Sequence, residues 1–85
     1  MFFTYILYSS AFDKTYVGFT SNIQERLIAH NHPKNKGYTK KFQPWIITHF
    51  DSFETKSEAM EREKYFKTGK GREEINLILK KKNLR

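Results

Sequence analysis

Tyr5, Tyr16, Arg26, His30 and Glu63 are the residues of this chain whose types could do chemistry together. Two phenols, a guanidinium, an imidazole and a carboxylate are the parts needed to grip a phosphodiester, bind a divalent metal and direct a water at phosphorus. Arg26 and His30 lie one helical turn apart, so a helix would put them on one face. That face borders the one carrying Ile23 and Leu27, which must face the core. Both polar groups are therefore expected at the rim of the packed side. Arginine suits bidentate phosphate binding, and histidine can donate to a phosphate oxygen or act as acid or base. For this pair alone, ordinary amphipathic helix surface is the simpler reading.

Glu63 is sharper. On a wheel of about 100° per residue, Ala59, Met60 and Phe66 share a face and Glu63 falls among them. A carboxylate in an apolar stripe is costly to bury unless it is paired or holds a metal. The wheel by itself favours a structural ion pair, for instance with Arg26, or a helix-edge carboxylate reaching water. Tyr5 and Tyr16 can lie on neighbouring strands of a hairpin with both phenols on one face, although routine aromatic filling is the default for any tyrosine. Tyr8 and Phe12 take that default.

These residues need elements to position them. Phe3 to Ser9 and Thr15 to Phe19 are rich in aromatic and β-branched residues and read as an antiparallel hairpin. Gly18 inside the second strand marks a bulge or a close approach. Ser21 reads as a helix N-cap, with Gln24 closing a capping box, and the helix runs to about His30. His32 to Gly37 is a polar loop, and Pro44 bars a regular helix at the entry to the next element. Trp45 to Phe53 is the third strand. Thr55-Lys56-Ser57-Glu58 is a second capping box, opening a helix that ends near a C′ Gly69. Ile75, Ile78 and Leu79 recur at helical spacing within a last helix over Arg72 to Lys82. The order β-β-α-β-α-α predicts an α+β fold: a small three-stranded antiparallel sheet flanked by helices.

With 85 residues, a single domain spanning 1–85 is expected. Aromatic residues make up 16% of the chain, which compensates for a thin core. There are no cysteines to form disulfides or a thiolate zinc site. His30, His32 and His49 follow no metal-site spacing. The chain opens without a basic segment ahead of an apolar run, so neither a signal peptide nor a membrane span is expected. A cytoplasmic location is the expectation.

The net charge of +7 points to polyanionic partners. Arg26, Lys34, Lys36, Lys40 and Lys41 fall in a stretch free of acidic residues. Lys34, Lys36, Lys40 and Lys41 interleave with Tyr38 and Phe42, a pattern that can track a nucleic-acid backbone and stack bases. A solvated basic loop with an apolar anchor is the plain alternative. Lys80, Lys81, Lys82 and Arg85 read as a solvated basic end that helps cap the last helix.

Taken together, Tyr5, Tyr16-Val17-Gly18, Arg26, His30 and Glu63 resemble the GIY-YIG endonuclease family. Tyr16-Val17-Gly18 looks like the family's second tripeptide. Phe3-Thr4-Tyr5 looks like the first, with only the tyrosine matching. The resemblance covers nearly the whole chain. It is closest to a short stand-alone branch similar to the amino-terminal nuclease domain of the bacterial excision-repair protein. Tyr38-Thr39 and Phe53-Glu54-Thr55-Lys56 also look like that branch.

The resemblance implies a metal-dependent DNA endonuclease. Glu63 would bind one Mg²⁺ or Mn²⁺, and Arg26 would neutralise charge on the phosphoryl oxygens. Tyr16 or Tyr5 would orient or deprotonate the water, with His30 assisting. It also supplies a reason for a carboxylate at Glu63. Phe19 departs from the lysine that excision-repair relatives carry after the tripeptide, so one activating cation is missing. The 85 residues hold none of the extra DNA-binding domains of the relatives with known specificity. Target selection is then expected to rest on DNA shape, a protein partner or oligomerisation. A non-catalytic nucleic-acid-binding module, or an interaction subunit of a repair complex, is the alternative. RNA stays open as a ligand, and a membrane surface role is disfavoured because no long apolar helix face opposes the basic residues.

Overall fold

A computed structural model describes residues 1–85. Three strands, β1 (Phe2–Ser9), β2 (Lys14–Thr20) and β3 (Ile46–Phe53), form an antiparallel sheet in the order β2-β1-β3. The helices are α1 (Ile23–Asn31), α2 (Lys56–Phe66) and α3 (Gly69–Lys81). The expected α+β fold and its β-β-α-β-α-α order are present, with one addition. Tyr38–Phe42 forms a 3-10 turn between α1 and β3, where the sequence suggests only loop.

Central strand β1 is covered on both sides, which is why Thr4 through Ser9 are all buried. Its side chains alternate between faces. Ile6 and Tyr8 join Val17 of β2 and meet Phe66, Ile75 and Leu79 of the α2–α3 pair. Tyr5 and Leu7 point the other way, against Trp45, with Tyr16, Leu27, Phe42 and Ile47 around them. The register sets Tyr5 opposite Gly18 and Leu7 opposite Tyr16, so both phenols lie on one face, as the hairpin requires. The strand irregularity is not at Gly18. It lies between Ile6 and Leu7, against β3. Gly18 instead permits a close approach: a Cβ there would fall 2.5 Å from Tyr5 Oη.

Helix α1 begins one residue later than expected. Thr20 Oγ1 accepts the Asn22 N–H at 3.1 Å, and Asn22 Oδ1 accepts the Glu25 N–H at 3.1 Å. Asn22 rather than Ser21 is therefore the N-cap. Glu25 rather than Gln24 then occupies N3, so the Ser21–Gln24 box does not form. Asparagine caps as well as serine does, and the Thr20 bond decides between them. The Thr55–Glu58 box is present.

The α2–α3 corner also departs from expectation. α2 stops at Phe66, and Gly69 is not a C′ glycine, because no glycine has positive φ. The Thr68 hydroxyl donates to Tyr65 O at 2.6 Å and accepts the Gly71 N–H at 3.2 Å. This threonine closes one helix and opens the next, so α3 starts at Gly69 instead of Arg72. Gly71 is required by contact: a Cβ there would drive into Tyr65 O and come 2.5 Å from Phe66 Cα.

Trp45 precedes β3 instead of starting it. It is 2% exposed, with its indole N–H donating to Thr39 O at 2.8 Å and its backbone paired reciprocally with the Asn31 side chain. Arg85 is not freely solvated: its Nε donates to Asp13 Oδ1 at 2.9 Å, beside the Tyr8 hydroxyl. Phe12 is not core filling either, being 49% exposed.

The corner predicts a contrast in chemical denaturation. Gly71→Ala is expected to cost about 3 kcal/mol or more, because backbone atoms cannot yield as side chains do. Gly69→Ala, with open space around its Cβ position, is expected to be neutral or stabilising by up to about 1 kcal/mol.

Candidate active site

On the α1 face of the sheet, Tyr5 (β1), Tyr16 (β2) and His30 (α1) form a compact aromatic group. The Tyr16 and His30 ring centroids are 4.8 Å apart, those of Tyr5 and His30 6.1 Å, and those of Tyr5 and Tyr16 6.5 Å. Tyr5 Oη lies 3.0 Å from His30 Nε2. On the far side of the ring, His30 Nδ1 lies 2.8 Å from Thr39 Oγ1. Asn35 Nδ2 donates to that same oxygen at 2.8 Å and to His30 O at 3.1 Å. Asn35 Oδ1 accepts the Gly37 N–H at 2.8 Å, which fixes the way its amide faces. A polar chain thus runs from the central strand through the imidazole to the 3-10 turn.

His30 is consequently buried, at 6% exposed, and not at the rim. The last turn of α1 lies beneath residues 35–39, which cover it. Arg26, one turn earlier, stays exposed as expected. Ile23 and Leu27 are half-buried. A cavity of about 200 Å³ opens here, lined in part by Tyr16, Arg26, His30, Asn35, Tyr38 and Thr39. It has no carboxylate in its lining.

Burial pushes the Tyr5 phenol above its ordinary value of 10.0. The neighbouring Arg26 guanidinium opposes that shift, while Tyr16 and Glu63 add to it. Burial lowers His30 below its ordinary 6.5, and the Arg26 charge lowers it further. The phenol and the imidazole are therefore both neutral near pH 7.

Glu63 lies on α2. Ala59 and Phe66 of the same helix are fully buried, whereas the Glu63 side chain is 21% exposed. Its ion-pair partner is Lys67, at 3.8 Å, and not Arg26. Its field is nonetheless felt at Tyr5. Tyr5, Tyr16, Arg26 and His30 thus come together, whereas Glu63 does not line the cavity and is linked to the group only through its charge effect on Tyr5. Lys34, Lys36, Lys40 and Lys41 are all exposed and none pairs with a carboxylate. Lys40 donates to Pro33 O. Tyr38, Phe42 and Phe12 pack in a row of tilted and edge-on rings, with centroid spacings of 5.1 and 5.4 Å and Lys14 over Phe42.

The GIY-YIG catalytic domain matches residues 1–76. The chain belongs to the GIY-YIG family. Its relatives include UPF0213 proteins. That of Staphylococcus haemolyticus is 36% identical over 63 residues, covering 74% of this chain and 77% of the relative. That of Bacillus velezensis is 46% identical over 52 residues, covering 61% and 52%. That of Clostridium perfringens is 35% identical over 69 residues, covering 81% and 74%. No solved structure gives a significant match. GIY-YIG domains form a nuclease superfamily.

The donor set sets limits on a GIY-YIG metal here. No group of three or more histidine, aspartate or glutamate residues gathers at one point. A closed zinc-type site is therefore not built. Magnesium-type ions need less from the protein, taking one or two carboxylates together with substrate phosphate and water. Glu63, half-buried and held only by a loose lysine contact, fits that mode.

Asn35 and Thr39 escaped the sequence reading as site residues. The one available signal was Tyr38-Thr39, whose likeness to the stand-alone branch marks the position without giving a role. Lys67 and Arg72 escaped too. With Tyr16, Phe66 and Ile75 they border a second depression of about 210 Å³, and Tyr16 lines both.

Removing the Thr39 hydroxyl should leave a buried imidazole nitrogen and the Asn35 amide short of a partner. Thr39→Val is expected to cost about 1–3 kcal/mol in denaturant unfolding, with Thr39→Ser close to wild type. His30 also predicts a pH dependence. Its folded value lies below the unfolded 6.5, so the unfolded chain binds the proton more readily. Stability is expected to be intact above pH 6.5 and to fall on acidification through the folded value, a step that His30→Gln lacks in unfolding curves taken between pH 7 and 5.

Proposed function

We propose that this chain is a metal-dependent DNA endonuclease that selects DNA by structure and serves DNA repair or recombination. The observation that supports it most is the gathering of Tyr16, Arg26 and His30 around an acid-free cavity, with Tyr5 bonded to His30 behind it. Such a cavity attracts a phosphodiester, and an arginine on its wall can neutralise charge growing on the phosphoryl oxygens.

The two tyrosines take different parts. Tyr5 is 1% exposed and its phenol is raised, so it holds its proton and works through its bond to His30. Tyr16 is half-buried and lines the cavity, so its oxygen is the one that can meet and orient the attacking water. His30, neutral and held on both ring nitrogens, keeps Tyr5 and Tyr16 in register. Thr39 and Asn35 position His30. Glu63 would hold a Mg²⁺ or Mn²⁺, which when bound offsets phosphate charge and makes a coordinated water more acidic. Attack by water on phosphorus displaces the 3′ oxygen, leaving a 3′-hydroxyl and a 5′-phosphate.

Lys34, Lys36, Lys40 and Lys41, beside the Tyr38–Phe42–Phe12 row, are proposed to hold DNA flanking the cut. Their exposure and lack of acidic partners support this. A cytoplasmic location is part of the same proposal.

Cleavage of duplex, flap, splayed-arm and four-way DNA with Mg²⁺ or Mn²⁺ tests the assignment. The wild type is expected to cut at least one of these. Glu63→Ala, still folded by circular dichroism, is expected to lose cleavage by about 10²-fold or more. Undiminished cutting by Glu63→Ala removes the metal assignment. Binding of DNA by both proteins with no cutting by either supports the non-catalytic module instead.

A further inference from the structure

A nucleic-acid strand lying across the cavity must also leave it, and the fold supplies one continuation. Tyr16 sits on the edge strand β2 and lines depressions on both of its sides. The first holds Arg26 and His30. The second, under the α2–α3 corner, holds Lys67 and Arg72 over an apolar floor of Val17, Phe66 and Ile75. Neither lining contains a carboxylate.

The cations of the second depression are available. Arg72 is exposed and takes part in no ion pair. Lys67 is 60% exposed and held only by its 3.8 Å contact with Glu63. The first turn of α3, which carries Arg72, has no acidic residue. By contrast, Arg62 on the opposite side of α2 is committed to Asp51 and Glu74 at 3.2 Å each. The molecule's spare positive charge near Tyr16 is therefore on the depression side of this corner.

We propose that Lys67 and Arg72 form a second phosphate subsite, holding the phosphate next to the scissile one as the strand passes Tyr16. Resting on the nuclease reading, this extends it by giving the strand a direction: past Arg26, across Tyr16, and out beneath Arg72. The apolar floor accommodates the sugar between the two phosphates. Specificity for sequence is absent from such a subsite, since both contacts are to the backbone.

The test is DNA binding in EDTA, where cutting is stopped, measured across a range of salt for the DNA structure the wild type prefers. Arg72→Gln is compared with Lys81→Gln, which removes the same charge from an exposed position at the other end of α3. Loss of one phosphate contact should reduce the slope of log affinity against log salt by about 0.9 on duplex DNA, or about 0.7 on a single strand. A reduction of up to that size is expected for Arg72→Gln and for Lys67→Gln, which share the one phosphate, and not for Lys81→Gln. A neutral methylphosphonate placed beside the mapped cut should weaken wild-type binding by more than it weakens Arg72→Gln binding. Equal slopes for Arg72→Gln and Lys81→Gln, with the wild type binding normally, overturn the subsite and leave the nuclease reading standing. Failure of the wild type to bind any DNA overturns both.

Discussion

The interaction on which the rest of this structure depends is the polar chain Tyr5–His30–Thr39–Asn35, enclosed between the sheet and the 3-10 turn. In such a low-dielectric place an unmatched donor or acceptor is expensive, and a matched one is strongly directional. The chain therefore fixes more than itself. It holds α1 against β1, draws the 3-10 turn over the helix end, and sets the imidazole plane. Trp45 seals it by donating to Thr39 O. Gly18 makes room for it, because any side chain there would collide with the Tyr5 phenol. A small domain with a thin core gains a defined centre in this way, and that centre coincides with the aromatic group of the candidate site.

The opposite side of the sheet does a different job. Phe66, Ile75 and Leu79 close over Ile6, Tyr8 and Val17 as an ordinary apolar core. Arg62 lies across Tyr65 and Phe66 while its guanidinium bridges Asp51 on β3 and Glu74 on α3. Each of those exposed pairs contributes little alone, but together they tie two helices to the edge strand. The effect is to fix where α2 presents Glu63. Thr4 reinforces this from the central strand, donating its hydroxyl to Ala59 O at 2.7 Å.

The electrostatic arrangement arises from these two sides. Cations line the two acid-free depressions on the β2 side, and Arg62 takes up the carboxylates of Asp51 and Glu74. Glu63 is the exception, close enough to influence Tyr5 and only loosely paired. The proposed nuclease would use this pattern, with a polyanion over the cations and a hard cation at Glu63.

Much of this was legible in the linear sequence, for local reasons. Runs rich in aromatic and β-branched residues gave the strands, the Thr55–Glu58 box gave the start of α2, and the spacing of Ile75 and Leu79 gave the buried face of α3. The ordered set from Tyr5 to Glu63 was sufficient to place the chain in its family. What the sequence could not give were matters settled by contacts between distant residues. Thr20 moved the α1 cap to Asn22, Thr68 joined two helices where Gly69 suggested an ending, and residues 35–39 buried His30. Lys67 rather than Arg26 became the partner of Glu63. Asn35 and Thr39 are ordinary polar loop residues until the turn folds back over α1. Secondary structure and family depend on neighbours along the chain, and these the sequence determines by itself. Burial, hydrogen-bond partners and protonation depend on what lies across space, and only the tertiary structure decides them.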